Sequence, residues 1–82
     1  MSRTDIFEKL NDIFRKNFDD ESICLTDSTT AEDIEDWDSL EQINLVVAIQ
    51  DTFTVKFNID EVNSMQNVGE MVNMIMNKLE KS

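Results

Sequence analysis

The chain has no histidine and no proline, one glycine, one cysteine, and seven lysines and arginines against eighteen aspartates and glutamates. Each shortage excludes something. Without histidine, and with no lysine or arginine between Lys16 and Lys56, the hydroxyls in the middle of the chain have no base within sequence reach. They are therefore unactivated as nucleophiles. Without proline, and with Gly69 as the one glycine, nothing marks a linker, a domain boundary or a repeat. A lone Cys24 excludes an internal disulfide framework and fits a reducing compartment. No apolar run is long enough to span a bilayer, and Met1-Ser2-Arg3-Thr4-Asp5 has no signal-peptide core. A soluble, cytoplasmic chain without membrane insertion is expected. No His/Cys cluster exists for zinc. An EF-hand loop begun at Asp36 would need a ligand at Leu40 and lacks the glycine of its tight turn, so no metal site is expected.

What is present is acid. The net charge of −11 repels nucleic acid and anionic membrane surfaces and suits basic protein surfaces. Eighty-two residues allow one domain, 1–82, with one modest core. An apolar content of 40% argues against disorder despite the charge.

Periodicity supplies the architecture. Ile6, Phe7, Leu10, Ile13 and Phe14 repeat at helical intervals, which predicts a helix from about residue 3 to 17. Ser2 or Thr4 can cap it, Ser2 and Asp5 stand at capping-box spacing, and Arg15 and Lys16 suit its last turn. Residues 18–37 have no sustained period. There Ile23, Leu25 and Ile34 are spaced to pin a loop onto a core, Thr30 to Asp33 can form one turn, and Trp37 should pack. Asp38 is a good N-cap for a second helix over 39–53, and Glu41 would complete a capping box with it. On that helix Leu45, Val46, Ile49 and Phe53 project to a core side. Glu41, Asn44, Ala48 and Asp51 project opposite, Leu40 and Val47 at the border, and Ile43 near the seam. A short third helix from Asp60 carries Glu61 and Val62. A final helix follows, capped by Asn67 with Glu70. Val68, Met71, Val72, Ile75 and Leu79 form its inward face, with Lys78 and Lys81 at its C-terminal end. Met65, Met71, Met74 and Met76 read as core filler and Cys24 as a small buried hydrophobe. Val55-Lys56-Phe57 alternates like a strand but has nothing to pair with. The fold class is all-α: a small four-helix bundle, three longer helices and a short third, with a long loop between the first and second.

Ser39 sits where that loop turns into a helix. Its hydroxyl is held near the positive end of the helix, where N–H groups can face an anion. A presented but unactivated serine is a place where another enzyme attaches something. An ordinary helix-start serine in an acidic interaction domain is the alternative.

Asp38-Ser39-Leu40 opening an amphipathic helix, Leu45-Val46-Val47-Ala48-Ile49 within it and Phe53-Thr54-Val55-Lys56-Phe57 after it resemble the acyl carrier protein family over nearly the whole chain. The resemblance implies a discrete, non-enzymatic carrier, a monomer, with 4′-phosphopantetheine covalently attached to Ser39 by a phosphopantetheinyl transferase using coenzyme A. Asp38 and Leu40 would flank that group, which would hold acyl or aminoacyl intermediates as thioesters. The implied partners are the transferase and loading and transferring enzymes with basic docking surfaces. They would read Glu41, Asn44, Val47, Ala48, Asp51 and Glu61. Fatty-acid carriers of the family have further acids where Asn44, Gln50 and Thr52 stand here, and a glycine in place of Asp36-Trp37. Trp37-Asp38-Ser39-Leu40 is more similar to specialised stand-alone carriers, among them those of D-alanine, secondary and polysaccharide pathways.

Overall fold

In the computed structural model, which describes residues 2–81, the order is α1 (Arg3–Phe18), α2 (Ser39–Phe53), α3 (Ile59–Ser64) and α4 (Val68–Lys81). The side chain of Lys81 lies outside the described residues, as do Met1 and Ser82. Local signals set most helix starts. Ser2 Oγ accepts from the Asp5 N–H and the Asp5 carboxylate accepts from the Ser2 N–H, a complete capping box. Asn67 Oδ1 accepts from the Glu70 N–H at 2.8 Å, as its spacing predicts. The third helix starts at Ile59 rather than at Asp60. Asn58, unnoticed as a cap, forms a capping box with Glu61.

Ile6, Leu10 and Phe14 of α1, Leu45 and Ile49 of α2, and Val68, Met71, Val72 and Ile75 of α4 are closed off from solvent. Burying side chains of this size contributes about 1.5–3 kcal/mol each. Ile23, Leu25, Phe53 and Val55 complete the core, with Ile34, Trp37 and Phe57 packed on its rim. The long loop is pinned as expected. Leu25 N–H donates to Asn11 Oδ1 at 2.8 Å and Arg15 Nε donates to the Ile23 carbonyl at 2.7 Å. Cys24, however, is exposed. Its neighbours Ile23 and Leu25 both turn inward, so the side chain between them points out. Of the methionines among the described residues only Met71 is buried; Met65, Met74 and Met76 are half-exposed filler at the edges. No strand forms among the described residues, and the Val55-Lys56-Phe57 alternation reflects one core contact, Val55, and one rim contact, Phe57.

The loop also caps α4. Val68 N–H donates to the Thr29 carbonyl at 2.8 Å and Gly69 N–H to the Asp27 carbonyl at 3.0 Å. Gly69 is required by that close approach, because a Cβ there would stand 2.8 Å from the Asp27 carbonyl oxygen. Arg3 closes the same corner by pairing with Asp27 and Asn73 and lying over the Phe7 ring. No helix among the described residues is long and apolar enough to cross a membrane.

Candidate functional site

The geometry around Ser39 begins in the core. Phe14 of α1 meets Trp37 edge-on, ring centroids 5.1 Å apart. Trp37 Nε1 then donates to Gln42 Oε1 at 2.7 Å across the start of α2. This bridge, which sequence reasoning missed, ties the last loop residue but one to the helix it precedes. Asp38 does the rest: Oδ1 accepts from the Glu41 N–H at 2.9 Å and its carbonyl from the Gln42 N–H at 2.9 Å. Ser39 is thereby fixed as the first residue of α2, exposed. Among the described residues its hydroxyl has no hydrogen-bond partner, and the Ser39 and Leu40 N–H groups are not taken by the cap.

The expected capping box at α2 is only half made. The Glu41 carboxylate does not return to Asp38. One oxygen accepts from Asn17 Nδ2 at 2.8 Å and the other from Asn44 Nδ2 at 3.0 Å. Asn17, at the end of α1, offers a partner that spacing along α2 could not reveal.

A cleft of about 490 Å³ opens beside Ser39 between α2 and α3. Ile43, Ile59, Val62 and Met65 give it an apolar side, Gln42, Asn63 and Gln66 a polar one. Leu40 (66% exposed) and Val47 (51%) stand in solvent, as their border positions predict. Ile43 (59%) and Ile59 (76%) join them, so the apolar surface near Ser39 is larger than the helix projection predicts. Asn44 and Asp51 are exposed, but Ala48 and Glu41 are half-buried because α1 packs along that flank. Glu61 sits apart on α3, paired with Lys78 Nζ at 2.9 Å. Asp38, Leu40, Asn44, Val47 and Asp51 thus gather along the outward side of α2, Glu41 lies on its flank toward α1, and Glu61 faces α4.

Chemically the site presents rather than reacts. It offers an exposed hydroxyl, two unclaimed N–H groups suited to a phosphodiester, and an apolar cleft for an adjoining arm. Among the described residues the nearby Asp38 carboxylate is engaged with the Glu41 N–H and does not accept from the hydroxyl. These residues fit a covalently attached phosphopantetheine.

The family profile described as "Phosphopantetheine attachment site" matches residues 8–75. The chain is 28% identical over 75 residues to the acyl carrier protein of Lactobacillus acidophilus, covering 92% of this chain and 94% of that one. It is 29% identical over 75 residues to the acyl carrier protein of Lactobacillus johnsonii, with the same coverage. Among solved structures, the holo acyl carrier protein of Geobacter metallireducens superposes with a TM-score of 0.86. It is 40% identical, over 92% of this chain and 86% of that one. Fold, site geometry and these likenesses agree: the chain belongs to the acyl carrier protein family, phosphopantetheine-bearing carriers rather than catalysts.

Proposed function

We propose that Ser39 is the residue that bears 4′-phosphopantetheine, and that the chain holds acyl or aminoacyl intermediates on it and presents them to partner enzymes. The observation that carries this is the exposed, unbonded Ser39 hydroxyl on the first turn of α2, rigidly placed by Asp38 and by the Trp37–Gln42 bridge. The attached group supplies the thiol and hence the thioester chemistry; the protein supplies attachment and recognition. The proton leaving Ser39 passes to a base when the transferase is bound, since no side chain among the described residues accepts from the hydroxyl.

Recognition falls to the outward side of α2. Asp38, Glu41 and Asp51 suit a transferase or acyl-handling enzyme with a basic docking patch, and Leu40 and Val47 are apolar side chains that it can cover. Charge should set the encounter rate and apolar contact the lifetime of the complex. The departures at Asn44, Gln50 and Thr52 favour a specialised stand-alone carrier over one of fatty-acid synthesis, and the acidic surface disfavours nucleic acid.

Incubation with coenzyme A and a phosphopantetheinyl transferase, followed by intact-mass measurement, tests the reading. The native chain should gain the mass of one phosphopantetheine, and Ser39→Ala should gain none while staying helical, because a helix-start substitution costs only about 1 kcal/mol. The same gain in the alanine variant would move the attachment site elsewhere.

A further inference from the structure

Glu41 is held unlike the other acids of this surface. Both of its carboxylate oxygens are engaged by neutral amides, Asn17 Nδ2 at 2.8 Å and Asn44 Nδ2 at 3.0 Å. A neutral donor orients a carboxylate without cancelling its charge, and two accepted bonds leave lone pairs free for a third donor. The contact with Asn17 is partly buried and crosses from the last turn of α1 to the first turn of α2. The arrangement therefore tethers the two helix ends and also holds the carboxylate in one rotamer. Ser39 lies on the flank of the first turn that faces α3, and Glu41 on the flank that faces α1. An enzyme straddling the start of α2 would meet both.

We infer that Asn17 is a positioning residue for docking of the phosphopantetheinyl transferase: it presents Glu41 to a basic side chain of that enzyme. The inference rests on the carrier reading above. Charge complementarity names the partner group. Residues 17–55 contain eleven acids and no lysine or arginine, so a cation at Glu41 must come from outside this segment. Holding the carboxylate in advance spares the complex the cost of ordering a mobile side chain. That cost corresponds to roughly a three- to tenfold change in affinity.

The test is initial-rate kinetics of phosphopantetheine transfer at varied carrier concentration, with a transferase that loads the native chain. Failure of the native chain to gain mass with coenzyme A and the transferase would overturn the carrier reading itself. Glu41→Gln, which keeps an acceptor for Asn17 but loses the charge, should raise KM and flatten its dependence on salt. Asn17→Ala keeps the charge and should raise KM roughly three- to tenfold, with kcat unchanged and the salt dependence retained. In a Glu41→Ala background, Asn17→Ala should add nothing. Asn44→Ala, on the exposed side of α2, should raise KM in the same way and stands in if the α1 variant folds poorly. Unchanged KM in a folded Asn17→Ala chain would overturn the inference. An equal rise in the Glu41→Ala background would also overturn it, since Asn17 would then act by another route.

Discussion

Helices α3 and α4 are consecutive in the chain and anchored by different physics. α4 sinks Val68, Met71, Val72 and Ile75 completely into the core, and each buried side chain contributes kilocalories. α3 buries none of its six residues. It is held by its Asn58–Glu61 capping box, by the Glu61–Lys78 ion pair at 2.9 Å, and by Lys78 lying 5.2 Å from the Phe57 ring centroid. Such polar and partly exposed contacts are worth about 1 kcal/mol or less apiece. Apolar side chains that α4 uses for stability are thus left in solvent on α3 and on the outward side of α2. They stand beside Ser39. The buried core and the exposed apolar surface beside Ser39 occupy separate regions of a small molecule, so each can change without spoiling the other.

The largest test of that separation is truncation. Ile75→Ala on α4 should cost about 2–5 kcal/mol, the range for an emptied core position. Ile59→Ala on α3 should stay within about 0.5 kcal/mol. Chemical denaturation of the two variants compares them directly, and an equal loss would break the distinction. Thr54 separates α2 from α3 and holds a left-handed φ of 56°, which is costly for a β-branched residue. Thr54→Gly should raise stability by about 1 kcal/mol, measured as a higher denaturation midpoint, and would show that the α3 side carries strain. Lys78→Met removes the ion pair and the ring contact together. The expected loss is below about 1 kcal/mol. Amide exchange should quicken at residues 59–65 while the central amides of α4 stay slow. Faster exchange throughout α4 would mean that α3 supports the core after all.

The smallest effect concerns pH. Hydrogen bonds from the Ser2 backbone and side chain hold the Asp5 carboxyl below its ordinary value of 3.8. A lowered folded value means that its stabilisation is present above 3.8 and is lost as pH falls through that lower value. Asp5→Asn should therefore make the acid limb of the stability curve slightly shallower, while melts above pH 5 (roughly a unit clear of the carboxylate) register only the loss of a charged cap. An unchanged acid limb would remove Asp5 from the account.

Much of this was legible in the sequence because its causes are local. Asp38, Asn67 and the Ser2–Asp5 box reach only three residues along the chain, so spacing alone identifies them. The stripes Ile6-Leu10-Phe14 and Val68-Val72-Ile75 repeat at the helical period, and burial follows wherever a helix packs at all. Ser39 is recognisable because exposure and an unclaimed hydroxyl follow from a helix-start position in a chain without histidine. The Asn58 cap was equally local, but Asp60 and Glu61 drew the helix start one residue too far along.

Other features depend on partners distant in sequence. Glu41 satisfies the spacing of a capping box, yet its carboxylate turns to Asn17, 24 positions away. Cys24 is exposed because both of its neighbours are used by the core. Gly69 is needed because Asp27 passes within 2.8 Å of where its Cβ would be. The sequence by itself determined four helices, most of their caps, the buried stripes, the charge and the helix-start position of Ser39. Only the tertiary structure decided which flank of α2 lies against α1 and how much apolar surface remains beside Ser39. Periodicity gives the angle between side chains on a helix, but the rotation of that helix in the bundle is chosen by the surfaces it meets.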